Sequence, residues 1–199
     1  MKEIVQDGAE VLREEAKPVP EKLFGSAELT RLIKDMSEAL DKELEGVALA
    51  APQVGVSWRL FIVRVDRTLP PPPLDTQGST LSQNSSAGGG SASGVQGSTL
   101  VASPKPEIQV YINPEIIKTS RKRADMDEGC LSVRGIYGTT KRHERVTVRA
   151  RRSDGSRFQR GAGGLMAQIF EHEIDHLNGT LFIDHAQYLV DVTKHEPKS

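Results

Sequence analysis

One stretch, Pro70 to Pro106, decides how much of this 199-residue chain can fold into one body. Its 37 residues hold eight Ser, six Gly and six Pro, no aromatic side chain, and only Asp75 and Lys105 as charges. Such a composition cannot bury enough apolar surface to offset the entropy of ordering, so disorder is expected there. The 162 residues outside it are enough for a single well-buried core. Strand-like runs flank it: Leu60 to Val65, apolar and largely β-branched, and Val110 to Ile112, just before Asn113-Pro114. The stretch therefore reads as an insert in a surface loop between two strands of one domain spanning 1–199.

The rest of the chain alternates short elements. Residues 1–25 carry Pro18 and Pro20 and read as an extended arm packed on the body. Ser26 is placed to cap a helix in which Leu29, Leu32, Ile33, Met36 and Leu40 follow helical spacing. Gly46 to Gly55 (GVALAAPQVG) is small, apolar and bounded by glycines, suited to close backbone approach. Within 144–150, Val146, Val148 and Ala150 alternate with Thr147 and Arg149 as in a strand, and Ser153-Asp154-Gly155-Ser156 closes a hairpin. From Gly164 to Leu177 the period turns helical, with Asn178-Gly179 as the stop.

Composition excludes several classes of protein. With 26 basic and 27 acidic side chains, the net charge of −1 gives no reason to expect nucleic-acid or anionic-membrane binding. A single cysteine rules out an internal disulfide, so Cys130 acts as a thiol if it acts at all. No run approaches the roughly 18 apolar residues of a membrane span. MKEIVQDGAEVLREEAK has no apolar h-region, so a secretory signal is not expected. The expected setting is a reducing one, the cytoplasm.

The last helix carries His172-Glu173-Ile174-Asp175-His176, an HExxH sequence. Residues i and i+4 differ by roughly 40° around a helix, so both imidazoles leave one face and can share a divalent metal. Glu173 sits beside them, placed to take a proton from a metal-activated water. Leu165 and Ile169 share the histidine face, while Met166, Phe170, Ile174 and Leu177 form a second, core-facing side. A third ligand is needed. In the extended zinc-protease pattern Phe182 stands where a histidine belongs, and Asp184 and His185 fall past the helix end. Upstream, Cys130 in Glu128-Gly129-Cys130-Leu131-Ser132 is the stronger candidate; Asp127 and Glu128 offer carboxylates, but a thiolate suits a borderline metal better.

Three separated motifs give the chain a family resemblance. Gly46-Val47-Ala48-Leu49-Ala50-Ala51-Pro52-Gln53, Glu128-Gly129-Cys130-Leu131-Ser132 and His172-Glu173-Ile174-Asp175-His176 resemble, in that order, the motifs of peptide deformylases. The resemblance runs from about Val5 to about Asp184 and is broken by the Pro70–Pro106 stretch, which is not typical of the family. Ala48 replaces the second glycine of the first motif, and Arg134 stands where a proline is common.

The resemblance implies an α+β fold, antiparallel strands around a central HExxH helix, and hydrolysis of the N-formyl group of formyl-methionyl nascent chains with release of formate. It implies metal ligation by Cys130, His172 and His176, proton transfer by Glu173, and oxyanion donors from the Gln53 side chain and the Leu131 N–H. Glu128, with Arg142 as ion-pair partner, would support the ligands. Gly46, Val47, Ala48, Met126, Leu165 and Ile169 would line the methionine pocket. One divalent ion per chain is implied, Fe²⁺ by resemblance, with Zn²⁺, Ni²⁺ or Co²⁺ compatible with the same ligands. Transient ribosome contact is the implied macromolecular partnership. A metal-dependent peptidase on the same ligands and an inactive peptide-binding relative are the rival readings.

Loop closure costs grow only with the logarithm of length. Replacing 70–106 by a short Gly/Ser turn should therefore leave melting temperature and formate release nearly unchanged, checked by thermal melts and steady-state assay.

Overall fold

The computed structural model describes residues 2–68 and 107–195; the insert expected at 70–106 lies outside the described residues. Among the described residues eight strands form two antiparallel sheets, accompanied by two α-helices and six short 3₁₀ turns. The larger sheet has the order β1 (Ala48–Ala50), β2 (Leu60–Arg64), β3 (Ile108–Thr119), β6 (Arg145–Arg151), β7 (Arg157–Gly163). The smaller has the order β4 (Arg123–Cys130), β5 (Val133–His143), β8 (Gln187–Asp191). Helix α2 (Leu165–Leu177) packs against strands of both sheets, so the antiparallel α+β architecture around a central helix is what the chain adopts.

Helix α1 (Ala27–Asp41) starts as its sequence dictates: the Ser26 hydroxyl accepts the Leu29 N–H at 3.2 Å. Its Leu29, Met36 and Leu40 are buried against Leu49, Leu60, Ile62 and Ile112 on one face of the larger sheet. The alternate residues, Phe61, Val63, Tyr111, Val146 and Val148, face α2. There the Phe61 and Tyr111 rings stack at 4.7 Å, and Phe170 of α2 tilts against both at 6.1 and 5.0 Å. Strand periodicity thus splits one sheet into two cores, one under each helix.

Three features depart from the sequence reading. Asn113-Pro114 does not end β3; the strand passes through it with a register shift between Ile112 and Glu115. Pro114, lacking a ladder donor, sits within this irregularity. Asn113 takes φ of +50° and its side-chain amide pairs with the N–H and C=O of Val19, replacing a strand partner. Within Gly46–Gly55 the chain forms the buried strand β1 and then a 3₁₀ turn, Ala51–Val54. The smaller sheet carried no apolar alternation to announce it, because its buried positions include Glu128, Thr140 and Arg142.

The N-terminal arm packs on the body as expected, burying Leu12, Ala16, Val19 and Leu23. Its backbone bonds reach across the molecule: Val5 N–H to Gln53 O, Asp7 N–H to Ser132 O, and Ala16 N–H to Leu177 O.

At the far end of β2 the buried Arg64 joins sheet to helix. Its Nε and Nη2 donate to Asp66 at 3.0 and 2.9 Å, and its Nη1 donates to Asp41 at the end of α1. The Arg64 hydrogen bonds outweigh burial and hold the Asp66 carboxyl at about 2. That is below its unfolded value of about 3.9, so the pair stabilises the fold above pH 4 and the contribution fades as pH falls towards 2. Asp66→Asn should lower the melting temperature at pH 7 and flatten its decline between pH 4 and 2, measured by thermal melts across that range.

Candidate metal centre

Three segments converge on one cleft. Cys130 closes β4, His172 and His176 lie one turn apart on α2, and Gln53 sits in the 3₁₀ turn after β1. One ligand atom each from Cys130, His172 and His176 lies within 4.8 Å of the others. Cys130 Sγ is 3.2 Å from His176 Nε2, and the two imidazoles stand edge to face at 5.0 Å between centroids. Sulfur and nitrogen ligands of a tetrahedral zinc ion with ordinary bond lengths are about 3.6 Å apart. A small movement of either side chain reaches that spacing, so the donor set fits a divalent ion.

The electrostatics fit as well. Burial pushes His176 well below the usual imidazole range, leaving it neutral as a ligand must be. Burial also opposes charge on His172, but Cys130 and Glu128 outweigh it and raise the ring well above its ordinary value. A positive charge is favoured at that point, and a metal ion can supply it in place of the proton. Glu173 is buried, with Oε2 lacking a hydrogen-bond partner among the described residues. Burial, reinforced by the charge of Glu128 and opposed by His172, pushes its carboxyl up to about 7.

Gln53 is held by both ends of its amide. Oε1 accepts the Ala50 N–H at 2.8 Å, which turns Nε2 towards Cys130 Sγ at 3.5 Å and Ser132 Oγ at 3.2 Å. The Ser132 N–H also points to Cys130 Sγ, at 3.4 Å. Beneath the site Arg142 forms a bidentate pair with Glu128 at 2.7 and 2.9 Å and reaches Asp175 at 2.6 Å. Glu128 Oε2 in turn lies 3.1 Å from His172 Nδ1, orienting that ring. Gly129 lies close under the Tyr137 ring: a Cβ there would come within 2.9 Å of it, so the ring would have to shift.

The cleft has a volume of about 670 Å³. Gly46, Val47, Ala48, Leu131, Leu165 and Ile169 all line it, beside Cys130, His172 and Glu173. Met126 does not. It lies four positions before Cys130 on an extended strand, roughly 13 Å away, and lines a different depression with Arg142, Gly164 and Gln168. Asp184 and His185 lie outside the cluster as expected; Asp184 pairs with Arg13 instead. Sequence reasoning did not single out Asp175 or Ser132 for their contacts, although both lie inside the quoted motifs.

Antiparallel sheets on an HExxH helix, with a thiol and two imidazoles gathered at a cleft, define a metal-dependent hydrolase. The family model for polypeptide deformylase matches residues 1–191. A peptide deformylase of Halothermothrix orenii is 39% identical over 177 residues, 89% of this chain and 88% of its own. One from Hydrogenovibrio crunogenus is 37% identical over 176 residues, 88% of this chain and 80% of its own. Among solved structures, a Legionella pneumophila peptide deformylase superposes with a TM-score of 0.70 at 33% identity, covering 94% of this chain and 87% of its own. An Acinetobacter baumannii class I type b peptide deformylase, described as bound to Met-Ala-Ser, gives 0.70 at 29% identity over 93% of this chain and 99% of its own. The chain belongs to the polypeptide deformylase family, metal-dependent enzymes that remove the N-formyl group from newly made polypeptides.

Removing one partner of a buried ion pair costs about 3–5 kcal/mol, whereas an exposed pair contributes at most about 1 kcal/mol. Arg142→Met should therefore destabilise the fold by about 3–5 kcal/mol, and Arg149→Met, which breaks only the exposed pair with Glu115, by far less. Urea unfolding of the two variants makes the comparison.

Proposed function

We propose that Cys130, His172 and His176 hold one divalent ion and that Glu173, Gln53 and the Leu131 N–H carry out deformylation around it. The observation that carries this reading is the convergence of one sulfur and two nitrogens beside a buried carboxyl lacking a partner for one oxygen. Such an ion supplies Lewis acidity and an acidified water.

The protein's own groups do the rest. A carboxyl poised near neutrality can accept the proton of the attacking water and return it to the leaving amine. Gln53 Nε2, fixed by its Oε1 bond to Ala50, and the Leu131 N–H act as donors to the oxygen that becomes negative at the tetrahedral carbon. Val47, Leu165 and Ile169 give the cleft an apolar wall for an unbranched methionine side chain. A formyl carbon bears only hydrogen, so it fits between these donors where an acetyl methyl collides. Glu128 and Arg142 orient His172. Ala48 adds its methyl group to the cleft lining, narrowing it there.

Fe²⁺ is the ion proposed to work in the cell, with Zn²⁺, Ni²⁺ and Co²⁺ able to occupy the same donors. The substrate is a formyl-methionyl nascent chain, met in the cytoplasm during transient contact with the ribosome. The A. baumannii relative with Met-Ala-Ser supports a peptide of that kind as ligand. A single catalytic domain interrupted at 70–106 accounts for the whole chain.

Formate release from formyl-Met-Ala-Ser by anaerobically purified protein tests the reading. The kcat/KM for formyl-Met should far exceed those for acetyl-Met and formyl-Asp versions; comparable cleavage of acetyl-Met would indicate a broader amidase. Within the same series, Glu173→Ala should keep its ion and lose about 10²–10⁴-fold in turnover. Cys130→Ala should lose the ion by mass spectrometry; one tight equivalent retained would remove the thiolate from the ligand set.

A further inference from the structure

The two walls of the cleft come from different parts of the chain, and one ion pair joins them across its rim. Segment 42–47, between α1 and β1, forms one wall, and the start of β5 after the Cys130–Val133 turn forms the other. Arg134 Nη2 and Nη1 donate to the two carboxylate oxygens of Glu43 at 2.7 and 3.1 Å. Arg134 occupies the position where the family pattern commonly has proline, a residue unable to make this pair.

The neighbouring contacts show what the pair acts on. Behind it, Arg67 Nη1 donates to the carbonyls of Glu43 and Gly46 at 2.7 and 2.6 Å, fixing the first wall to the body. Beside it the walls lie close, with little room to spare: a Cβ added to Gly46 would lie 3.1 Å from Leu131 Cδ1. Leu131 is the tip of the second wall, three residues before Arg134. On the far side the tip is tied by Gln6 Nε2 to Leu131 O and by Asp7 N–H to Ser132 O. The tip is thus braced from behind by the N-terminal arm and in front by the ion pair.

We propose that Glu43 and Arg134 form an ionic clasp that sets the spacing between the two walls and so positions the Leu131 N–H relative to Gln53. Both are positioning residues, acting through Gly46 and Leu131 without touching the reacting atoms. The inference rests on the proposed role of Gln53 and Leu131 as oxyanion donors. A clasp of this kind tunes the reaction rather than creating it, because the other braces remain when it opens. The Arg134 side chain is 55% exposed, so dissolved salt can screen the pair.

The test compares wild type, Glu43→Gln, Arg134→Gln and the exchange Glu43→Arg/Arg134→Glu, each loaded with one equivalent of the same metal. Donors aligned only for the transition state act on kcat. Each single variant should lose about three- to tenfold in kcat with KM within about twofold, at unchanged metal content. The exchange variant should recover most of the loss. Wild-type kcat should fall towards that of the single variants between low salt and 1 M NaCl, while theirs stays flat. An unchanged kcat, a change confined to KM, or an exchange variant no better than the singles would overturn the clasp. Absence of formate release from the wild type would instead overturn the reading of the site itself.

Discussion

A guanidinium buried among carboxylates holds the site together. Arg142 lies on β5, yet its two acidic partners belong to β4 and α2, and one of them, Glu128, also orients His172. The smaller sheet is therefore locked to the helix by charge where the larger sheet is locked by aromatic packing. The two attachments differ in tolerance. An apolar contact survives a change of shape at modest cost, whereas a buried ion pair needs every partner present. Placing the less forgiving attachment directly beneath the histidines makes their geometry depend on the pair, and the pair on a fully formed fold.

The helix and its two histidines were legible because their signals are local. Helical spacing from Gly164 to Leu177 and a stop at Asn178-Gly179 each need only neighbouring residues to be read. Cys130 was legible as a candidate from its chemistry and its motif, and its sulfur lies with the two imidazoles at the cleft. The smaller sheet was not, because its inward positions carry Glu128, Thr140 and Arg142 in place of the apolar residues that mark a strand. The feature that hid the sheet is the one that serves the site. Met126 lines a neighbouring depression, since four positions along an extended strand carry it well away from Cys130. The partners of Asp175 and of Arg134 lie 33 and 91 residues away and leave no trace in local pattern.

Gln53 illustrates how a single side chain acquires direction. An amide can present either end to a ligand, and the choice is fixed here by the main chain three residues earlier. The short strand β1 and the turn after it thus determine which way the amide faces before any ligand arrives. A rigid backbone donor orients a side-chain donor, and this preorganisation costs no reorganisation at the moment of reaction.

The N-terminal arm holds the site by backbone groups: Val5 and Asp7 give their N–H groups to Gln53 and Ser132, and Ala16 gives its own to the last residue of α2. Such a staple is blind to side chains. Apart from Gln6, whose side chain reaches Leu131 O, the arm can therefore drift in composition at its exposed positions near the site while its path stays fixed, and the replacement it cannot absorb at Val5 or Asp7 is proline, which deletes the donor. A segment with no chemistry of its own thus constrains the chemistry of others through geometry alone, and that constraint is visible only in where its chain runs.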